Sequence, residues 1–334
     1  MKSKLITLKL GIKKNKTDGL LICLFKASTT ALIFTLNKFA AAPVIISKQN
    51  IIKSNPKYIF INSGNANACT GKEGLTNTKR ILNLLAKRLK CNSNEIIIMS
   101  TGIIGRQLPI DDIEASIIKN TFNKYSSLKD AACSVMTTDN HPKYLSKEYK
   151  IGSKKVIFSG LCKGAGMIEP NMATMLAFIE TNVSINKSNL KKYLNYCANL
   201  SFNAISVDGD MSTNDCVAFT STNLINIDLK NKKNEKKLLE YAADFFIQLS
   251  SKIIKDGEGA TKIIKLNICN AKTKTLAQEI SRKISNSLLV KTAMYGEDPN
   301  WGRIIASLGS INKNAFNVVK VKLFINKILC FDNG

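Results

Sequence analysis

The stretch Lys163-Gly-Ala-Gly-Met-Ile-Glu-Pro-Asn-Met-Ala-Thr174-Met-Leu-Ala-Phe-Ile-Glu-Thr-Asn182 has two unlike halves. Residues 163–173 carry glycines, small residues and a proline, a composition that excludes the interior of a regular element. Residues 174–180 are mostly apolar and are bounded by Thr181 and Asn182, which predicts a buried strand. Thr174 sits on the border, behind the small Ala173. A hydroxyl at the mouth of a buried strand, beside a Gly-rich loop, stands where a nucleophile would be placed.

The same arrangement recurs along the chain. An apolar run stops and a cluster of Gly, Ser, Thr, Asn or Asp follows, after residues 61, 99, 136, 160, 207 and 257. Any one such cluster is an ordinary turn, but sites are commonly built on strand-end loops, and six exceed what turns alone require. Between them the spacing predicts helices over 78–90, 111–122, 188–199, 235–255 and 275–284. Strands are predicted over 20–25, 31–36, 44–46, 58–61, 95–99, 156–158, 217–220 and 262–269. Ala40–Pro43 reads as a bend, 295–303 as a loop holding the single Trp301, and 318–324 with 328–331 as a closing hairpin. Strands and helices alternate irregularly, which gives a mixed α/β (α+β) fold with layered sheets, without repeats or an interdomain linker.

The chain has 334 residues, 45% of them hydrophobic, and a formal net charge of +25. Such a charge invites a nucleic-acid reading. The lysines are scattered, however, and the only dense run, Lys230–Lys237, reads as a polar loop leading into a helix, so no nucleic-acid partner is expected. No two of the nine cysteines stand in a C-x-x-C spacing, so neither a metal site nor a disulfide framework is expected, and a reducing cytoplasm fits best. No segment reaches the length of a membrane span.

The reactive side chains narrow the chemistry. His141 is the only histidine, lies beside Pro142 in a polar stretch, and reads as an exposed loop residue. No G-x-S-x-G elbow, H-E-x-x-H pair or P-loop occurs. An enzyme without a usable imidazole must activate a hydroxyl in another way. One route is a threonine whose own α-amino group is free, since that amine, with a pKa of about 7.7–8.0, serves as a base near neutral pH. Freeing it requires scission before the threonine, and the loop ending at Ala173 would let the Thr174 hydroxyl reach the preceding carbonyl. Asp208, Asp210 and Asp215 read as turn-capping carboxylates, Asn65 and Asn67 as structural loop residues, and Trp301 as packing.

The segment around Thr174 resembles the self-cleavage site of the ornithine acetyltransferase family, bifunctional glutamate N-acetyltransferases of arginine biosynthesis. NSGNANACTG (62–71), STGIIG (100–105), MTTD (136–139), VDGDMSTND (207–215), DGEGATK (256–262) and DPNWGR (298–303) resemble that family's other motifs, in its order. The resemblance implies a sandwich of sheets covered by helices, like that of self-processing aminopeptidases. It implies self-cleavage between Ala173 and Thr174 into chains 1–173 and 174–334 that together make one composite fold. Thr174 then takes the acetyl group of N-acetylornithine and passes it to glutamate. Thr101 and Gly102 match the oxyanion-hole pair, and Thr137 or Thr138, Lys163, Thr174 and Glu258 match substrate-binding positions. No cofactor is implied, although some relatives use acetyl-CoA as donor. Two cleaved pairs are expected to associate as a heterotetramer. Ala165 stands where the family often has Ser, and Asn140 where Thr is commoner. The family continues beyond the position of Gly334 and there supplies further substrate contacts, so the expectation is a shortened or incomplete chain with an unfinished pocket. The competing readings are a self-processing aminopeptidase of related architecture and an inactive family member.

Overall fold

A computed structural model describes residues 1–169, 175–311 and 316–334. Ala173 and Thr174, and with them the predicted scission point, lie outside the described residues.

Two sheets form the centre. The first has the order β1 (Lys4–Leu8), β2 (Gly19–Cys23), β4 (Tyr58–Asn65), β5 (Ile96–Ile103). Its pairs are antiparallel except for β4 with β5, which run parallel. The second has the order β3 (Thr29–Phe34), β9 (Cys216–Ile225), β8 (Leu176–Val183), β7 (Lys154–Lys163), β6 (Lys143–Ile151), and only β8 and β9 run parallel. The predicted strand after Thr174 is β8, paired on both sides and buried along almost its whole length, as its continuous apolar run requires.

The sheets pack face to face. Leu20, Ile22, Ile59, Ile61, Ile97 and Met99 of the first meet Leu32, Leu161, Leu176, Phe178 and Ala218 of the second. The side chains alternate, so each strand's other set faces outward and needs its own cover. On the first sheet α2 (Gly71–Leu89) and α3 (Ile110–Lys119) bury Ile81, Leu85, Ile113 and Ile117 against Phe60 and Ile98, with α1 (Ala42–Lys53) contributing Ile46. On the second, α5 (Lys187–Leu200) and α6 (Lys232–Lys255) bury Leu194, Phe245 and Phe246 against Phe158 and Phe219. A short α4 (Leu128–Ser134) places Ala131 and Ala132 against the inter-sheet core. The result is a helix–sheet–sheet–helix stack. The chain closes with α7 (Lys274–Ser285), α8 (Leu288–Tyr295), α9 (Trp301–Gly309) and the hairpin β10 (Leu323–Ile325) and β11 (Ile328–Phe331), around a smaller cluster of Ile280, Ile284, Val290 and Ile304.

Three expectations about local structure are corrected. Residues 44–46, expected as a strand after a bend, belong to α1, where Pro43 occupies the first turn and so costs no helical hydrogen bond. Residues 262–269 form no strand, because no sheet edge meets them; Ile263 is exposed while Leu266 and Ile268 rest against the small terminal cluster. The expected loop over 295–303 is helical at both ends, and Trp301 opens α9 under the Asn300 cap, with its ring 5.7 Å from that of Phe331.

Candidate active site

All six strand-end clusters converge, and the two parallel strand pairs explain how. β4 and β5 end side by side, which sets Gly64 opposite Gly102 in the register. β8 and β9 begin side by side, with Leu176 opposite Cys216. Asn214 joins the two ends: its buried amide donates to the carbonyls of Ala66 (2.6 Å) and Ser100 (2.9 Å). β7 delivers Lys163 to the same place.

Thr101 is buried, and Lys163 Nζ donates to its Oγ1 at 3.0 Å. A lysine ammonium only donates, so Oγ1 is the acceptor and the hydroxyl's own proton remains free to donate elsewhere. The backbone at Gly102 has φ +135°, and a Cβ there would lie 2.2 Å from the Gly64 carbonyl carbon, so only glycine fits. Thr101 and Gly102 therefore stand at an exact β4–β5 approach that no larger residue could make.

The loop carrying Thr137 and Thr138 is held from three sides. Asp139 accepts the Thr137 amide (2.9 Å) and the Gly164 amide (2.8 Å), and Lys13 donates to the Met136 carbonyl (2.8 Å). Lys143, itself buried, bridges Asp139 at 2.6 Å and Asp256. Asp256 also accepts the Asn140 amide at 3.0 Å. Burial by itself would raise the Asp139 carboxyl, but Lys163, Lys143 and the Thr137 amide reverse this and hold it below the usual carboxylate range. Glu258 joins through its amide, which donates to the Ala165 carbonyl (3.0 Å), and its carboxyl lies so close to Gly166 that a Cβ there would come within 2.6 Å of it. Burial pushes the Lys163 ammonium below the ordinary lysine range, against the pull of Asp139, Asp215 and Glu258.

Of the residues singled out in the sequence, Thr101, Gly102, Lys163 and Glu258 thus share one neighbourhood, with the Thr137–Thr138 loop tied to it through Asp139. Motif 298–303 stays apart; among the described residues its hydrogen bonds remain within the terminal helices and their connections. His141 is exposed, and Asn65 and Asn67 serve the loop backbone. Asp208 accepts the Asp210 amide at 3.0 Å, as a turn-capping carboxylate should, and also reaches across to the amides of Met167 and Ile168. Asp215 does not cap a turn: it is fully buried and accepts the Met175 amide at 2.8 Å. Asp139, Lys143, Asp256 and Asn214 were not legible as site residues, because each acts on a partner distant in the sequence.

A buried lysine, a hydroxyl with its proton directed away from that lysine, a glycine at a close approach and a nearby carboxylate define a site for acyl-group chemistry at a carbonyl. The ArgJ family model matches residues 4–334. The arginine biosynthesis bifunctional protein ArgJ, mitochondrial, of Dictyostelium discoideum is 44% identical over 308 residues, 90% of this chain and 69% of that protein. The ArgJ protein of Caldanaerobacter subterraneus subsp. tengcongensis is 40% identical over 326 residues, 94% of this chain and 79% of that one. Among solved structures, the arginine biosynthesis bifunctional protein argJ of Bacillus halodurans aligns at 30% identity with a TM-score of 0.46, over 51% of this chain and 91% of that one. The chain belongs to the ArgJ family, and is an acetyltransferase of arginine biosynthesis. Among the described residues no helix is long and apolar enough to cross a membrane.

Proposed function

We propose that this enzyme cleaves itself between Ala173 and Thr174 and then moves an acetyl group from N2-acetylornithine to glutamate through acetyl-Thr174. In the first step the Thr174 hydroxyl attacks the Ala173 carbonyl, the C–N bond breaks, and the proton passes to the departing nitrogen. Water then hydrolyses the resulting ester, leaving a carboxylate on Ala173 and both a free amine and a restored hydroxyl on Thr174. In the transfer, that amine takes the hydroxyl proton as the oxygen attacks the acetyl carbonyl, and ornithine leaves with the proton. Glutamate's amine reverses the sequence.

The observation that carries this reading is the buried Lys163–Thr101 hydrogen bond beside Gly102. It orients a hydroxyl donor, and a Gly102 amide would complete an oxyanion hole. Lys163 also offers a cation to a substrate carboxylate, Glu258 an anion to an amino group, and Thr137 or Thr138 a hydroxyl. Acetyl-CoA serves as a second donor without a resident cofactor. Chains 1–173 and 174–334 stay together, two of each forming a heterotetramer in the cytoplasm.

Denaturing electrophoresis with N-terminal sequencing tests the scission: two bands, one beginning at Thr174, are expected, and Thr174→Ala leaves one uncut band without transfer activity. A single band from freshly folded wild-type protein that still transfers acetyl groups would overturn the reading.

A further inference from the structure

Lys13 stands at the site and has no part in the chemistry assigned so far. It lies half-buried in the β1–β2 connection. The buried Asp18 carboxylate holds that connection in place by accepting the amides of Leu10, Ile12 (2.7 Å) and Lys13 (2.8 Å). The Lys13 side chain runs over the end of β4, where a Cβ added to Gly64 would come within 2.9 Å of Lys13 Cγ. Gly64 is the residue opposite Gly102 in the β4–β5 register. Lys13 Nζ then donates at 2.8 Å to the carbonyl of Met136, directly before Thr137. Lys13 therefore links two walls of the site, the Thr101–Gly102 strand end and the Thr137–Thr138 loop.

The Met136 carbonyl takes one of the three ammonium protons. Among the described residues no carboxylate lies within ion-pair distance of Lys13, and the stretches 170–174 and 312–315 contain no acidic residue. The two nearby carboxylates are engaged elsewhere. Asp18 is turned to its amides, and Asp139 takes Lys143 and the amides of Thr137 and Gly164. Burial lowers the Lys13 ammonium from the ordinary lysine range; Lys16 and Lys163 add to this, and Asp18 and Asp139 oppose it. Lys13 and Lys163 are thus two cations near enough to feel one another, each with donors to spare among the described residues.

The two substrates differ at one end. N2-acetylornithine carries one carboxylate and ends in an ammonium, whereas glutamate carries a carboxylate at both ends. With Lys163 on the shared α-carboxylate, Glu258 suits the ornithine ammonium but repels the side-chain carboxylate of glutamate. A site that takes both must present a second cation. Lys143 cannot serve, because Asp139 and Asp256 already neutralise it. We infer that Lys13 is the specificity-determining residue for the acceptor: its ammonium binds the side-chain carboxylate of glutamate while Lys163 holds the α-carboxylate. This rests on the proposed transfer reaction and goes beyond it, by naming the group that tells acceptor from donor.

The test measures kcat/KM for both substrates with the full chain as wild type, Lys13→Met and Lys13→Arg. In a double-displacement reaction the donor's value reports acetylation of the enzyme and the acceptor's value reports the return step. Lys13→Met should lower the glutamate value by about 30-fold or more relative to the N-acetylornithine value, as expected when one partner of a desolvated ion pair is removed. Lys13→Arg should restore part of the loss. Glutamine, which matches glutamate in shape but has no side-chain charge, should be a poor acceptor for the wild type and lose that disadvantage in Lys13→Met. Equal falls for donor and acceptor would mean that Lys13 only holds the 136–139 loop, and would overturn the assignment. An unaltered preference for glutamate over glutamine would overturn it too. A wild type that releases no ornithine from N-acetylornithine refutes the transfer reading itself, and the assignment with it. Should Lys13→Met fail to fold in thermal melting, Lys13→Gln, which keeps an N–H for the Met136 carbonyl, is judged by the same two ratios.

Discussion

Lys143 and Lys163 stand at neighbouring strand ends, the first opening β6 and the second closing β7, and both are almost completely buried. Their surroundings differ. Lys143 lies between the carboxylates of Asp139 and Asp256, and those carboxylates also take the amides of Thr137, Asn140 and Gly164. Among the described residues Lys163 has only the Thr101 hydroxyl as a direct partner, and no carboxylate lies within ion-pair distance of it. A buried cation that is neutralised fixes a scaffold. A buried cation left under-neutralised is available to an anionic ligand or to developing negative charge. The sequence offers two lysines; the difference between structural and chemical roles lies in what surrounds each.

The comparison breaks most visibly at Lys143. Lys143→Met leaves two buried carboxylates without their counter-ion and should lower stability by about 3–5 kcal/mol in urea unfolding. A loss under about 1 kcal/mol would mean that the bridge holds nothing. Second is Thr101→Val, which keeps the branched shape but removes the donor. It should lower kcat by about 10²–10³, or about 2.7–4 kcal/mol, while Thr101→Ser keeps most activity; equal losses in the two would point to packing instead.

A subtler test concerns the charge of Lys163. Its folded-state pKa lies below the unfolded value of 10.5. Between the two values the unfolded chain holds a proton that the folded chain has given up, so stability from this group rises with pH in that window. The cost of burying it is fully present below the folded value. Lys163→Met should therefore be more stable than wild type at neutral pH, with the gap closing as pH climbs toward 10.5, in parallel denaturation series. A pH-independent gap would show that the ammonium is not strained by burial. The smallest effect is expected at Ser127, which caps α4 through the Asp130 amide at 3.1 Å. Ser127→Ala should cost about 1 kcal/mol and leave transfer kinetics unchanged.

Much of the architecture was legible because it is written locally. The apolar run after Thr174 gave β8, and the spacing of Ile81 and Leu85 gave α2. α4 was missed although Ser127 and Asp130 form a capping box, and β6 was missed although Lys143–Ile151 alternates in burial. The capping box is a local signal, whereas the alternation of β6 is one of burial, which its pairing with β7 decides. The strand expected at 44–46 failed for a different reason: Val and Ile suit a strand by propensity, but packing of Ile46 against the first sheet and Pro43 in the first turn favour α1. Among site residues, Thr101, Gly102, Lys163 and Glu258 stood out through their motifs, whereas Asp215 was misread as a turn cap because its burial comes from strands far away in the chain.

The order of residues alone determined where strands stop, where glycine is needed, which chemistries lack their side chains, and which family the chain resembles. Tertiary structure decided which loops meet and which charges are paired. Lys143 finds Asp256 113 positions away, Lys163 finds Thr101 62 away, and Met175 finds Asp215 40 away. Such pairings depend on the register of two stacked sheets and on exclusion of water between them, and neither is a property of any local stretch of sequence.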